Sequence, residues 1–233
     1  MRQLLVLLLS VGLTGACSRA PERSAEEPAP AGSAASADPG RPLPSPFPDV
    51  VARVNGRPIG LMQIVPVARE ELLQLPQDER DARRPEALRR ALERYIDREL
   101  LLQEALDRGV EADSRAVDWA FDQARREYPD EAAWTEELVE RGLDPQSFKS
   151  EVRVQQTVSA LVEQEAGGLE VSDEEVRAAF ESQRRASGEG AELPAFETVR
   201  EPIRDLLRRR KREQAAEALV RKLRARARIE IFI

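Results

Sequence analysis

The sequence predicts a mainly α-helical fold with a small β-element made from the two ends of one domain. Apolar residues recur at spacings of three and four over most of residues 61–227, which is the period of an amphipathic helix. Charged residues make up 34% of the 233-residue chain, aromatic residues make up 4%, and the mean hydropathy is −0.50. This composition favours solvated helices over a β-sandwich or a membrane bundle.

The β-element is predicted from two short segments. Val50–Val54 is followed by Asn55-Gly56 and then by residues 57–59. Asn-Gly is the strongest two-residue signal for a hairpin turn, because both residues tolerate a positive φ. Residues 228–233 alternate in polarity and form a third strand candidate. Since a lone strand is unstable, we expect the last strand to pair with the hairpin and close the helical body into one unit.

Seven helices are predicted between these strands, over about residues 61–75, 85–109, 113–128, 130–141, 144–165, 173–183 and 196–227. The second is expected to open with Pro85 near its first position and to end at Gly109. Asp113, the Asp144-Pro145 pair and Ser172 are the predicted N-terminal caps of later helices. Pro202 is expected to bend or restart the last helix.

The counts of histidine and cysteine exclude several common catalytic sites. The chain has no His and one Cys, so it has no imidazole base, no His-containing zinc site and no internal disulfide. Paired carboxylates occur at residues 70–71, 136–137 and 174–175, on predicted caps and exposed faces. A general acid would need an apolar pocket, which nothing in the pattern provides. We therefore predict no catalytic residue, no metal site and no cofactor.

Residues 1–16 have the pattern of a secretory signal peptide, with Arg2, an apolar run and then small residues. The run is shorter than the roughly 20 apolar residues of a transmembrane helix. Residues 13–17 (LTGAC) resemble the lipobox of bacterial lipoproteins, although Thr14 stands where Leu is most usual. This resemblance implies that Cys17 is acylated, and Ser18 after it would favour the outer membrane. The alternative is an ordinary signal peptide followed by an incidental cysteine.

Residues 17–49 are predicted to be a lipidated cysteine and a disordered tether. Residues 18–49 contain eight prolines and almost nothing to bury. Order is expected to begin at Val50 and to continue as one domain to residue 233. Because the chain is acidic, with a formal net charge of −7, and is predicted to be exported, we expect no nucleic-acid partner.

Several segments in fixed order carry a resemblance to a known family. A V-N-G-x-x-I hairpin at 54–59 precedes A-L-E-R-Y-I-D-R-E-L-L-L-Q-E-A-L-D-R-G-V at 91–110, of which residues 96–105 are the most specific part. L-V-E-R-G-L-D-P-Q-S-F-K-S-E-V-R-V-Q-Q at 138–156 and V-S-D-E-E-V-R-A-A-F at 171–180 follow. This order resembles the N-terminal chaperone domain of the SurA/PrsA-type periplasmic foldases over nearly all of residues 50–233.

In that family the V-S-D-E-E-V segment is usually followed by a parvulin-type prolyl isomerase domain. Here Phe180 and Phe196 are separated by too few residues for any domain, so no isomerase is inserted between residues 183 and 195. The zero count of His agrees, because parvulin active sites characteristically use His. The resemblance therefore implies a binding function without a carried-over catalytic residue.

The implied function is that of a periplasmic chaperone, anchored to a membrane through lipidated Cys17, which binds unfolded outer-membrane or secreted polypeptides without ATP. Two alternatives remain. The protein could be a peptidyl-prolyl isomerase, as family membership suggests, or an envelope adaptor for one dedicated partner.

Three aromatic residues are candidates for client binding: Trp119, Trp134 and Phe148. Trp119 points nearly opposite to the apolar face of its predicted helix, whereas Trp134 and Phe148 also fit core positions. Packing between neighbouring elements is the alternative role for all three. The stretch 198–228 has twelve Arg or Lys against four Asp or Glu. One interpretation is that this stretch binds anionic lipid. The other is that it is a helix face that is either solvated or packed against acidic helices.

Overall fold

The computed structural model describes residues 43, 46–168, 170–187 and 194–233. In this part of the chain, three strands and seven α-helices follow in the order β1 (Val50–Val54), β2 (Arg57–Gly60), α1 (Leu61–Leu73), α2 (Arg80–Asp107), α3 (Ser114–Arg126), α4 (Glu131–Glu140), α5 (Pro145–Glu165), α6 (Asp173–Ala186), α7 (Phe196–Arg224) and β3 (Ile229–Ile231). The predicted mainly α class with a small β-element is confirmed. The predicted signal peptide, Cys17 and most of the predicted tether lie outside the described residues.

The three strands form one antiparallel sheet in the order β2-β1-β3. Asn55 and Gly56 form the hairpin turn with φ values of 51° and 86°, as the Asn-Gly pair predicts. The Asn55 backbone N–H donates to the Arg228 carbonyl at 2.8 Å, and the Arg228 N–H donates to Asn55 Oδ1 at 2.8 Å. The prediction that the last strand pairs with the hairpin is therefore confirmed.

The larger apolar cluster, here called the main core, lies between the sheet and four helices. It is built from β1–β3, α1, α2, the second half of α5 and the second half of α7. Its buried members on the last two helices are Val158, Leu161, Leu219, Val220 and Leu223. The final helix and strand thus belong to the same core as the first hairpin.

Ion pairs in half-buried surroundings fix α2 against α7. Arg224 donates to Asp97 Oδ1 at 2.6 Å and to Glu93 Oε2 at 2.7 Å. Burial raises the pKa of Asp97 above its usual value, and the Arg224 guanidinium opposes that rise. On the same helix, Glu104 accepts from Arg108 at 2.6 Å and also from Arg226. Such pairs add little net stability but fix the orientation of the helices, since a wrong orientation leaves a charge buried without a partner.

The smaller apolar cluster, here called the second core, joins α3, α4 and the first half of α5. Its buried members are Val117, Ala120, Ala124, Trp134, Leu138, Phe148 and Val152. Helix α5 passes through both cores, because Phe148 and Val152 lie in the second core while Val158 and Leu161 lie in the main core. Arg98 of α2 also pairs with Glu151 of α5 at 2.5 Å. The second core is therefore held on the main core by one continuous helix.

Helix α6 packs against the first half of α7, and we call this helical pair the arm. Val176 is the buried residue of α6, and the rings of Phe180 and Phe196 meet edge to face at 5.4 Å. No residue of α7 from Phe196 to Ala215 is buried. The arm is therefore stabilised mainly by half-buried side chains and by ion pairs at its surface.

Two predictions about proline need correction. Helix α2 begins at Arg80, so the prediction that it opens at Pro85 was wrong. Pro85 is tolerated one turn further in, where it removes a single backbone hydrogen bond. The earlier start is held by Arg80, whose Nε donates to the Leu75 carbonyl at 3.1 Å. Pro202 lies inside α7, which continues without a break to Arg224, so the predicted restart of the helix at this residue was wrong.

The folded part of the chain begins before the predicted boundary at residue 50. Leu43 and Phe47 are half-buried and pack against the main core. The sequence did not predict these two contacts, because the many prolines of the region gave it the composition of a disordered tether.

None of the helices in the described ranges is long and apolar enough to cross a membrane.

The placement of α7 predicts different outcomes for two Leu→Ala substitutions on this helix. Leu219 is buried in the main core, so Leu219→Ala should lower the free energy of unfolding by about 3 kcal/mol. Leu206 is 40% exposed on the arm, and Leu206→Ala should cost less than about 1 kcal/mol. Urea unfolding followed by circular dichroism measures both. Equal losses would contradict the assignment of the second half of α7 to the main core.

Candidate functional site

One face of α3 points away from the second core and is exposed. It is formed by residues spaced four, three and four apart, namely Arg115, Trp119, Asp122 and Arg126, and we call it the α3 outer face. The opposite side of the helix carries the buried residues Val117, Ala120 and Ala124. The sharp separation of apolar and polar residues on this helix leaves Trp119 as the aromatic residue on its solvated side.

Trp119 is 67% exposed, although tryptophan is usually largely buried. Its helix is fixed beneath it by the buried residues that it contributes to the second core. The Asp113 carboxylate caps α3 by accepting from the Arg115 N–H at 2.9 Å, and Asp118 pairs with Lys149 of α5 at 2.6 Å. An exposed indole on a rigid helix offers apolar area at a small cost in conformational entropy, because a tryptophan side chain has only two rotatable bonds.

A surface depression of about 410 Å³ lies where α3 turns into α4. It is lined by Asp122, Arg125, Arg126, Tyr128, Asp130 and Glu131. Asp122 and Arg126 belong both to this depression and to the α3 outer face, so Trp119 stands one helical turn from its edge. The depression has charges of both signs and one aromatic ring, which suits polar peptide groups next to an apolar side chain.

An aromatic cluster adjoins the depression through Tyr128, which belongs to both. The Tyr128 ring is 5.3 Å from the Trp134 ring, and Trp134 meets Phe148 edge to face at 5.1 Å. Phe121 completes the cluster at 6.1 Å from Trp134 and 6.0 Å from Phe148. Edge-to-face contacts of this kind each add about 0.5–1.5 kcal/mol beyond burial alone.

The structure separates the three predicted client-binding residues. Trp119 is on the surface, whereas Trp134 is 0% and Phe148 is 5% exposed in the second core. A client on the folded surface cannot touch the two buried rings, which instead have the alternative packing role. As a surface contact, only Trp119 of the three is retained.

Sequence reasoning missed Tyr128 and the charged residues of the depression. Tyr128 follows α3 directly and precedes Pro129, so the sequence marks it as the end of a helix rather than as part of a site. The depression itself is formed jointly by the end of α3, the connection after it and the start of α4. The rings of Phe121, Tyr128 and Trp134 meet where the two helices join, and helical periodicity contains no information about such contacts.

The basic residues of α7 lie mostly against acidic partners. Arg200 pairs with Asp173 at 2.6 Å, and this contact lowers the pKa of the Asp173 carboxyl below its usual value. Further pairs join α7 to α5 and α6: Arg204–Asp173, Lys211–Glu175, Arg212–Glu163 and Lys222–Glu165. The interpretation of this stretch as a face packed against acidic helices is confirmed for these residues.

The predicted carboxylate pairs also have structural contacts. Glu71 pairs with Arg94 at 2.7 Å, Glu137 pairs with Arg141 at 2.7 Å, and Glu175 pairs with Lys211 at 2.8 Å. Within the part of the chain that the structure describes, no three His, Cys, Asp or Glu side chains form a group that could hold a metal ion.

The fold defines a structural class: mainly helical domains whose two ends meet in a small antiparallel sheet. A family model described as the SurA-like N-terminal domain matches residues 39–162, just over half of the 233 residues. The chain therefore belongs to the SurA-like N-terminal domain family, a family of the chaperone and foldase type. The matched range runs from before β1 into α5, so it contains the α3 outer face, the depression and most of both cores. No curated protein and no solved structure matches the chain.

Proposed function

We propose that this protein is a periplasmic chaperone, anchored to a membrane by lipidated Cys17, which binds unfolded outer-membrane or secreted polypeptides through the α3 outer face. The observation that carries this proposal is Trp119, which is 67% exposed on a family domain of the chaperone type. A solvated indole beside a depression of mixed charge fits a polypeptide segment with an apolar side chain and free backbone groups.

The surface suits weak and adaptable contact. Other exposed apolar side chains lie on other helices, among them Leu73, Val139 and Leu206. Each could add a small contribution to a long unfolded chain, so that affinity would arise from many contacts and release would need no ATP. The partner is a polypeptide rather than a nucleic acid, since the chain is acidic and the basic residues of α7 are largely paired.

The anchor is supported by the position of the one cysteine in the chain. Cys17 follows an apolar run and small residues, as in the lipobox of bacterial lipoproteins. Residues 18–42 separate it from Leu43, which packs on the main core. If fully extended, this segment would span on the order of 80 Å, which is long enough to hold the domain away from the membrane surface. Ser18 favours the outer membrane.

A prolyl isomerase is the enzyme alternative. Family isomerases carry a separate parvulin domain, whereas the chain passes from Ala186 of α6 to Phe196 of α7 through residues 187–195 alone. The match covers the N-terminal domain of the family, and the chain contains no His. These observations favour a binding protein. Proline-limited refolding of a model substrate separates the two functions, since only an isomerase accelerates it.

An adaptor for one folded partner is the second alternative. An exposed aromatic surface suits both an adaptor and a chaperone, but the two differ in the range of their partners. A chaperone suppresses aggregation of several unrelated unfolded proteins, whereas an adaptor suppresses none.

Trp119→Ala should weaken the binding of unfolded outer-membrane proteins about tenfold, because it removes the largest apolar side chain of the surface. The matched control is Met62→Ala on α1, since Met62 is 78% exposed but belongs to another element. Light scattering during dilution of urea-unfolded clients measures the suppression of aggregation, and circular dichroism checks that both variants fold. Equal activity of the two variants would contradict a client surface on α3.

Cys17→Ser should abolish the attachment of fatty acid, because serine has no thiol to be acylated. Ser33→Ala in the same segment is the matched control and should leave the attachment unchanged. Incorporation of labelled palmitate in bacterial cells, followed by purification of the protein, measures this directly. Label in the Cys17→Ser variant, or none in the unaltered protein, would refute the anchor at this position.

A further inference from the structure

The sheet ends in two outer strands, which differ in the backbone groups at their free edges. On β2, Arg57 and Ile59 are residues that pair with β1, so Pro58 between them faces outwards. Proline has no N–H, and a proline on an outer strand is a common device against the addition of a further strand. The outer edge of β2 is therefore protected by Pro58.

On β3, the backbone groups of Ile229 and Ile231 face away from β1. The Arg228 carbonyl accepts from the hairpin turn at 2.8 Å, and the Phe232 N–H donates to the Val51 carbonyl at 2.9 Å. Because neighbouring residues of a strand direct these groups to opposite edges, Ile229 and Ile231 direct theirs outwards. Within the part of the chain that the structure describes, these outward groups have no hydrogen-bond partner, and β1 is the one element that runs alongside β3. The outer edge of β3 is therefore open to a further strand.

The side chains of β3 alternate between the two sides of the sheet along this open edge. Ile229 and Ile231 lie on the side that faces the main core, where Ile231 is half-buried. Glu230 and Phe232 lie on the opposite side, and Phe232 is 39% exposed. The Arg228 side chain, which is exposed, pairs with Glu230 at 2.7 Å. An added strand would therefore lie beside isoleucines on one side, and beside charged groups and a phenylalanine ring on the other.

We propose that the open edge of β3 binds one extended segment of an unfolded outer-membrane polypeptide as an additional antiparallel strand of the sheet. This inference rests on the proposed function and specifies how the client is held. The backbone of the client bonds to Ile229 and Ile231, and its apolar side chains lie beside Ile231. Strands of outer-membrane barrels alternate apolar and polar residues with a period of two, which matches the two sides of this edge.

Strand addition suits a protein with many different clients. Main-chain bonds supply the affinity, and they are available in almost any sequence because each residue other than proline has the same backbone groups. Since β3 is three residues long, the edge forms few such bonds, each with a small net contribution. The client is therefore bound weakly and leaves without ATP.

A second copy of the chain fits this edge less well than a client does. Pairing of β3 with β3 of another copy, with all three residues overlapping, would place the two Glu230 carboxylates directly opposite each other. Like charges in such a position are destabilising. A client strand can instead place a hydroxyl group or a cation beside Glu230.

Two N-methylated peptides test the edge on the unaltered protein by fluorescence anisotropy. The parent is a short peptide that alternates valine with threonine and has no aromatic residue. In an antiparallel pair, the residue opposite Ile231 exchanges both bonds with it and has its side chain on the same side. Valines beside Ile231 therefore direct their N–H groups to β3, and methylation of the valine amides should weaken binding about tenfold or more. Methylation of the threonine amides is the matched control and should leave binding unchanged.

Equal losses from the two methylated peptides, or a loss with the threonine version alone, would overturn the antiparallel strand at this edge. Proton–nitrogen correlation spectra then locate the bound parent peptide. The Ile231 amide proton should move downfield and become protected from exchange, whereas the Phe232 amide, already bonded to Val51, should change little. A bound peptide that leaves the Ile231 signal unmoved would also overturn the inference.

A substitution on β3 provides a second test. Ile231→Pro removes the outward N–H and leaves the backbone bonds to β1 in place, so it should weaken binding of the parent peptide about tenfold. Ile231→Val retains the amide and is the matched control, with binding expected to be unchanged. Circular dichroism checks the folding of both variants. Undiminished binding by folded Ile231→Pro would contradict the proposed edge.

The outcomes separate this inference from the proposed function. Failure to bind the parent peptide, by a protein that still suppresses aggregation of unfolded clients, would overturn the edge alone. Peptide binding by a protein that suppresses no aggregation would contradict the proposed function and the assignment of a client to this edge. Sedimentation velocity tests for a second copy, since dimers that Ile231→Pro disperses would overturn the client as the occupant.

Discussion

The antiparallel pairing of β1 with β3 is the constraint on which the rest of the fold depends. It joins Asn55 to Arg228 by two backbone or side-chain hydrogen bonds, although the whole helical body lies between them in the sequence. The entropic cost of closing such a long loop rises only slowly with its length. Once closed, it brings α7 onto α2, where Arg224 bonds to Asp97 and Glu93.

The second core depends on this closure through α5. One end of that helix is packed in the main core by Val158 and Leu161, and its other end contributes Phe148 to the aromatic cluster of the second core. The surface with Trp119 therefore belongs to a cluster that is joined to the main core by one continuous helix.

Local chemistry made much of the fold predictable. Asp113, Asp144 and Ser172 cap their helices as expected, because short polar side chains satisfy free amides. The position of Trp119 on the solvated side followed from the helical period alone. Core positions for Trp134 and Phe148 also fitted the helical period, but an apolar helix face alone does not show whether its partner is the core or a client. Their surroundings depend on the packing of three helices.

The polypeptides that contact the α3 outer face in living cells test the proposed chaperone function most directly. A photo-crosslinking amino acid placed at Trp119 should capture many unrelated envelope proteins in their unfolded forms, while the same group at Met62 should capture few. Mass spectrometry of the cross-linked products identifies the partners from both positions. Capture of one folded partner alone from position 119, or the same products from both positions, would contradict a chaperone that binds its clients through this surface.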